Sequence, residues 1–579
     1  MFLGNLGARL GDRSRRTGSM TDLEEAKACF KEALNTKVSS ISQQIDCGHR
    51  FLLLPDSLQD IHGAYTVANT VVNLIPLLSP FSLQSADKQH QLRQAAGLAS
   101  SAAAIALRAG HGPLAALQLL ETGRGVFAAS VQNIRADLST LQESHPGLAK
   151  DFVRLRDQLD APAQRGGLEP TQLQLTEPAL VTLDSRHEAS AEMDSLLHTI
   201  RSRPGFGQFL LSATREEMKE AAACGPIVVI NVNSHRCDAL IVERFDVRVI
   251  GLPRLTQASL EERAGDLGSV ETLAWLWDVV VGPILDVLGF TIPPADDAWP
   301  HVWWVPTGPL TQFPLHAAGH HTEVNAETAL DRVVSSYSLS IKSIIHTRQQ
   351  RLLGTRANMD LKAILLDMEE TPGQGRLYHA KVETEAVREV CDSIGLPCNQ
   401  PLPYKKDVLA VLGSCRILHF AGHGGTRPDP LQSLLLLQDW ESNPLTVESL
   451  LETNLSTNSP FLAYLSACGT SRVQDNKSVD ESIHLTSAFQ LAGFRHVIGT
   501  FWEVDDAVCV DMARMTYEFM GEKAFSDESV SFGLHRAMRR LRDQWIRTKS
   551  VRETNRDGVL VTDPAQDTPT WVPYVHYGV

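Results

Sequence analysis

The strongest constraint on this chain is an alternation that begins near residue 363. Four apolar runs, "AILLDM" (363–368), "RILHFA" (416–421), "FLAYLSA" (461–467) and "HVIGTFW" (496–502), alternate with stretches of helical periodicity at 382–392, 447–452, 481–491 and 505–520. A continuously apolar run reads as a strand buried on both faces. A helix between two such strands returns the chain for parallel pairing. The expected fold of this region is a mostly parallel sheet flanked by helices. Upstream, "PIVVINVN" (226–233), "DALIVE" (238–243), "VRVI" (247–250), "HVWWVP" (301–306) and "VVSSYSLS" (333–340) are β-branched or aromatic runs bounded by turn residues, and extend the same α/β region back to residue 222.

Residues 1–205 have a different texture. In "TDLEEAKACFKEALN" Asp22 is the expected N-cap with Glu25 three residues on, and Ala26, Phe30, Ala33 and Leu34 share one face. Further helical pairs are expected over 61–78 and 98–126. Small and large residues at this spacing match tetratricopeptide (TPR) repeats, with an unrelated helical bundle as the alternative. The first repeat would run as a helix to Asp12, a turn at Gly18 and a second helix from Asp22. The chain would then start inside a repeat, so an N-terminally incomplete TPR-like solenoid is expected. Residues 161–190, with "APAQRGGLEP", read as a linker. The expected domains are 1–205, TPR-like, and 222–579, α/β.

Charge and cysteine usage narrow the partners. With 53 Lys and Arg against 68 Asp and Glu, the formal net charge is −15. That argues against nucleic acid, whose phosphates need a basic face, and against an anionic membrane surface. No stretch approaches the ~20 clean apolar residues of a membrane span. The N-terminus lacks the order of a signal peptide. Nine cysteines show no C-x-x-C pair. A reducing, cytoplasmic location is expected, with no metal and no cofactor.

Two strand ends carry chemistry. "HFAGHGG" (419–425) leaves one strand at His423, and "LSACGT" (465–470) leaves the next at Cys468. In open parallel sheets, sites gather at strand carboxyl ends. A thiol needs a base to act as a nucleophile, and an imidazole supplies it. On this reading His423 and Cys468 form a catalytic dyad. Gly424 and Gly469 flank an oxyanion, whose charge needs backbone N–H donors. Each residue alone has a plainer reading, a hydrogen-bonded loop histidine and a small core thiol. His419 is expected to be structural, Cys415 a helix-end or loop thiol, and Cys509 a core residue.

"ILHFAGHGG", "LAYLSACGTSR" and "LAGFRHVIGTFWEVDDA", with "VPTGPLTQFPLHAAG" (305–319) and the terminal "WVPYVHYGV", resemble the CHAT domain, a caspase-like peptidase family related to separase. The resemblance covers roughly 222–579. Joined to TPR-like helices, the chain resembles the TPR–CHAT proteins common in fungi. The resemblance implies a cysteine endopeptidase with the dyad His423–Cys468 acting on a protein or peptide substrate, and a regulatory protein on the TPR-like surface. "FWEVDDA" is similar to the separase segment that receives arginine, which makes Asp505 and Asp506 substrate-binding candidates. The plainer reading is that Asp505 caps the following helix. Arg427 or Arg472 in the pocket would instead favour an acidic substrate. The rival from another class is a catalytically silent TPR–CHAT scaffold.

Overall fold

The computed structural model describes residues 1–579 apart from 1, 37–38, 56, 78–94, 125–137, 139–140, 161–176, 296–297, 323–326, 354–361, 428, 454, 456–459, 468, 471–483 and 555–568. The chain divides into two compact units, Met1–Glu216 and Glu217–Val579.

The first unit is helical: α1 (Phe2–Thr17), α2 (Met20–Asn35), α3 (Ile41–Leu52), α4 (Ile61–Leu74), α5 (Leu98–Arg108), α6 (Gly112–Gly123), α7 (Pro146–Asp160) and α8 (Glu177–Arg201). From α1 to α5 each helix packs on the next, which brings α6 onto α5, and α7 packs on α8. Gly18, at φ +72°, turns α1 into α2. A Cβ on Gly7 would lie 3.1 Å from the Phe30 ring, so the glycine admits the aromatic between the two helices. The buried face of α2 holds Leu23, Ala26, Phe30, Ala33 and Leu34. The cap differs from expectation. Ser19 caps α2 by accepting from the Asp22 N–H, while Asp22 accepts 2.6 and 2.5 Å hydrogen bonds from Arg13. A serine at the boundary satisfies the helix end, which frees the aspartate for an ion pair. The expected linker also changes. Its first part, 161–176, lies outside the described residues, but residues 177–190 belong to α8, since Pro178 sits in the first turn where proline is tolerated.

The second unit is built on strands β1 (Ile227–Asn231), β2 (Asp238–Val242), β3 (Val247–Gly251), β4 (His301–Pro306), β5 (Val334–Tyr337), β6 (Lys362–Asp367), β7 (Cys398–Asn399), β8 (Cys415–Gly422), β9 (Gly424–Gly425), β10 (Leu434–Leu435), β11 (Leu445–Thr446), β12 (Leu462–Ala467), β13 (His496–Thr500) and β14 (Tyr574–Tyr577). Eleven form one sheet in the order β3-β2-β1-β4-β5-β14-β13-β12-β8-β6-β7. β9, β10 and β11 form a small separate sheet. The large sheet is parallel except at β1–β2, β2–β3 and β13–β14. Helices α9 (Ala380–Ser393), α10 (Leu485–Ala492) and α11 (Asp506–Glu522) flank its second half, and α12 (Asp527–Thr554) packs on α11 and lies on β5 and β14. Leu365, Ile417, Leu462, Tyr464, Ile498, Tyr517, Trp571 and Tyr574 share one buried cluster. Each such large side chain contributes about 1.5–3 kcal/mol on burial.

β14 is the seam. It is parallel to β5 and antiparallel to β13, so the strands on its two sides run in opposite directions. A buried polar row crosses this seam. His301 Nε2 donates to Ser336 Oγ at 2.7 Å, and Ser336 Oγ donates to His576 Nδ1 at 2.7 Å. His576 Nε2 then donates to His496 Nδ1 at 3.1 Å, and His496 Nε2 donates to Asp527 at 3.0 Å. Asp527 accepts only, which sets the direction of the whole row. The row satisfies polar groups that would otherwise be costly to bury between two apolar layers.

Candidate functional site

β8 and β12 are direct neighbours. Their register pairs Leu462 with Ile417 and continues without a slip to Ala467 opposite Gly422. The next residues in the sequence are His423 and Cys468. The two expected reactive positions therefore follow two paired residues on one rim of the sheet. Cys468 itself lies outside the described residues, as do Arg472, Asp475, Asp480 and Glu481.

The chain on either side of position 468 is well anchored. Thr500 Oγ1 donates to the Ala467 carbonyl at 2.8 Å, and the Thr500 N–H donates to Thr470 Oγ1 at 2.9 Å. The Thr486 N–H donates to the Thr470 carbonyl at 3.2 Å. A Cβ on Gly499 would come within 2.6 Å of the Thr470 and Thr486 hydroxyls, so β13 needs glycine there. Gly469 sits at φ +62°, a left-handed conformation that favours glycine. Its carbonyl accepts from Thr426 Oγ1 at 3.3 Å. The loop after His423 thus touches the loop after position 468.

His423 is partly exposed at the rim. Its carbonyl accepts from the Leu436 N–H at 3.0 Å, and Gly424 and Gly425 run on as β9 against β10. A Cβ on Gly425 would meet Leu434 at 3.0 Å. The ring is oriented from the other side. His423 Nε2 donates to the Gly375 carbonyl at 2.7 Å. A carbonyl can only accept, so Nε2 carries the proton in this contact and the neutral ring keeps its lone pair on Nδ1. That nitrogen can take a proton from a thiol.

The Gly375 loop is a part of the candidate site that sequence reading missed. Residues 369–379, "EETPGQGRLYH", follow β6. Arg376 pairs with Glu369 at 2.6 Å, Trp440 Nε1 donates to the Pro372 carbonyl at 2.9 Å, and Gln438 Nε2 donates to the Glu370 carbonyl at 2.8 Å. A signal existed. β6 is a third parallel strand beside β8, and the strand-end rule applies to its turn-rich exit as well.

The other candidates fall as follows. His419 is fully buried, stacked on Tyr464 with ring centres 4.9 Å apart, and its Nδ1 lies 3.3 Å from the Tyr517 hydroxyl. Cys415 is the first residue of β8 rather than a helix-end or loop thiol, and burial pushes its thiol up to about 12. Cys509 sulfur accepts from the Tyr574 hydroxyl at 3.3 Å. Asp505 caps α11, accepting from the Ala507 N–H at 2.9 Å. Asp506 Oδ2 accepts from the His379 N–H at 2.8 Å and its Nδ1 at 3.1 Å. It thereby ties α11 to the end of the Gly375 loop. Arg427 is exposed, and its N–H donates to Ser433 Oγ at 3.1 Å. Among the described residues no three His, Cys, Asp or Glu side chains converge as a metal site, and no helix is long and apolar enough to cross a membrane.

Comparison with known proteins adds a family. The family described as "CHAT domain" matches residues 270–579. No curated protein matches the chain. Among solved structures, the Saccharomyces cerevisiae separase–securin complex is similar at 11% identity and TM-score 0.40, covering 100% of this chain and 47% of that chain. The chain thus spans about half the length of that relative. The Arg-specific cysteine proteinase gingipain R is similar at 11% identity and TM-score 0.33, covering 55% of this chain and 75% of that one. The complex of the Porphyromonas gingivalis RgpB pro- and mature domains is similar at 10% identity and TM-score 0.34, covering 55% and 76%.

Proposed function

The chain belongs to the CHAT domain family, and from that premise we propose that it is a cysteine endopeptidase of the caspase- and separase-like type. The observation that carries the reading is the unbroken β8–β12 register. It ends with Gly422 opposite Ala467, one residue before His423 and Cys468. The anchored imidazole supports it: with Nε2 on the Gly375 carbonyl, Nδ1 is the basic nitrogen.

The chemistry follows from those roles. The Cys468 thiol gives its proton to His423 Nδ1, and the thiolate adds to the scissile carbonyl carbon. The charge that develops on the carbonyl oxygen is met by backbone N–H groups in the Gly424 and Gly469 stretches. The tetrahedral intermediate collapses as His423 returns the proton to the leaving amine, and water then hydrolyses the thioester. Throughout, the Gly375 carbonyl holds the ring and stabilises the imidazolium by accepting from Nε2.

Asp506 is the better candidate for a basic side chain before the cut. Both of its hydrogen bonds fall on Oδ2, whereas Asp505 serves as a helix cap. The helical first unit binds a regulatory protein or presents a substrate. A peptide-library cleavage profile of the full chain tests the reading. Cleavage is expected from the parent and none from Cys468→Ala or His423→Ala; identical profiles would overturn it. An Arg or Lys preference weakened in Asp506→Asn supports the pocket, and an Asp preference removes it.

A further inference from the structure

α9 carries a carboxylate where a helix packed on a sheet ordinarily places an apolar side chain. Glu383 is only 1% exposed, and α9 lies on β6 and β8 and against α11. A carboxylate this deep is tolerated only if its partners replace water. Its partners are specific. Glu383 Oε2 accepts from Ser466 Oγ at 3.0 Å. Glu383 Oε1 lies 3.2 Å from His419 Nε2, off the line that a hydrogen bond needs.

Those partners sit on the two strands that lead to the candidate dyad. Ser466 on β12 is two residues before Cys468, and His419 on β8 is four residues before His423. The N-terminal end of α9 reaches the same rim. His379, held by Asp506, immediately precedes the helix and follows by four residues the Gly375 carbonyl that holds the His423 ring. One helix therefore touches β8 and β12 and continues directly from the loop that holds the imidazole.

We infer that Glu383 is a positioning residue that sets the reach between the Cys468 thiol and His423 by tying Ser466 and His419 to a single carboxylate. It touches neither of the reacting groups. An apolar side chain would fill the same space, and replacing a buried ionic group in that way is often neutral or stabilising. An apolar filler could neither accept the Ser466 hydrogen bond on β12 nor face the His419 ring on β8 with a carboxylate. The inference rests on the dyad reading above.

The test measures thiol reactivity on the full chain. Cys468 alkylation by iodoacetamide is followed from pH 5 to 9 by peptide mass spectrometry, together with kcat and KM on any peptide that is cleaved. Ser466→Ala and Glu383→Ala are expected to slow Cys468 alkylation at pH 7 about tenfold, the value of one buried hydrogen bond, and to displace its pH profile. They should lower kcat with KM unchanged. Glu383→Gln keeps an amide oxygen for Ser466 and is expected to recover the rate to within about threefold of the parent. If Glu383→Ala does not fold, Ser466→Ala decides, because it removes one hydroxyl and leaves the carboxylate with His419. Rates and pH profiles that overlay the parent within twofold in Ser466→Ala would overturn the inference, as would Glu383→Gln as slow as Glu383→Ala. The alkylation readout holds whether or not the chain cleaves peptides. Absent cleavage with a displaced Cys468 profile would sink the peptidase reading and leave the positioning role standing.

Discussion

The two halves of the large sheet, on either side of β14, are built alike and end differently. Each has a run of parallel strands buried on both faces, with aromatic or apolar layers around them. Each also places a histidine in the chain that leaves a parallel strand, His316 ten residues after β4 in the first half and His423 immediately after β8 in the second. His316 is fully committed: its Nδ1 meets the Tyr337 hydroxyl at 2.9 Å and its Nε2 donates to the Val572 carbonyl at 2.9 Å. Burial pushes it down to about 4. His423 spends one nitrogen on a carbonyl and remains partly exposed. Because the halves run in opposite directions, their strand carboxyl ends lie on opposite rims. The architecture thus offers two rims. The rim suited to chemistry is the one where the fold leaves a polar side chain half used.

The sharpest break of this comparison is an exchange of losses. Cys468→Ala and His423→Ala are expected to reduce peptide cleavage by about 10³-fold or more with melting temperature unchanged, measured by cleavage assay and calorimetry. His316→Ala should do the reverse. It opens a cavity, removes the ring partner of the Tyr337 hydroxyl while leaving its backbone donor at 316, and strands the Val572 carbonyl, for a loss of about 2–5 kcal/mol in chemical denaturation. The remaining folded protein keeps its cleavage rate. A stable His316→Ala protein would erase the distinction between the two histidines.

Acid should destabilise the fold through its buried histidines. Burial pushes His301, His484 and His535 down to about 3 and His316 and His321 down to about 4. Unfolded, each titrates near ~6.5. Between those values the unfolded chain binds more protons, so stability is complete above about pH 6.5 and falls as pH falls toward 4. The slope is up to about 1.4 kcal/mol per pH unit for each histidine. Denaturation midpoints at pH 7, 5.5 and 4.5 measure it, and a flat series contradicts it.

Smaller effects sharpen the second half. Gly499→Ala pushes a methyl into the Thr470 and Thr486 hydroxyls, an overpacking cost of about 1–3 kcal/mol, and should slow Cys468 labelling as the turn shifts. Asp506→Asn keeps an acceptor for the His379 N–H and should leave the melting temperature nearly unchanged, so that a weakened Arg or Lys preference reports the lost charge rather than a displaced loop.

Much of the second unit was legible because it is written in local pattern. The buried strands β4, β8, β12 and β13 are continuous apolar runs, and the helices between them keep their period. The features that escaped share a cause, which is distance in sequence or the lack of a side-chain signature. β14 pairs with β5 across more than 200 residues, and nothing in "YVHY" names its neighbours. The Gly375 carbonyl is a backbone atom and leaves no mark in composition. Glu383 sits one turn into an amphipathic helix, where a glutamate reads as solvated; only the structure turns it inward. Asp505 was legible both ways, and the structure uses it as a cap. The tetratricopeptide reading of the first unit rests on the Ala26–Phe30 spacing and its packing on Gly7, which any close helix pair could also produce.

The place of β14 also sets a schedule. Tyr337 and its partner Tyr577 belong to strands whose nearest ends, Tyr337 and Tyr574, lie 237 residues apart. At roughly 5–20 residues per second, a ribosome takes about 12–47 s to cover that separation. For that time β5 is a finished strand with a bare edge, the kind of template on which another nascent chain can pair. Slow synthesis would lengthen that exposure, so the speed of translation is expected to bear on how long the edge stays unpaired.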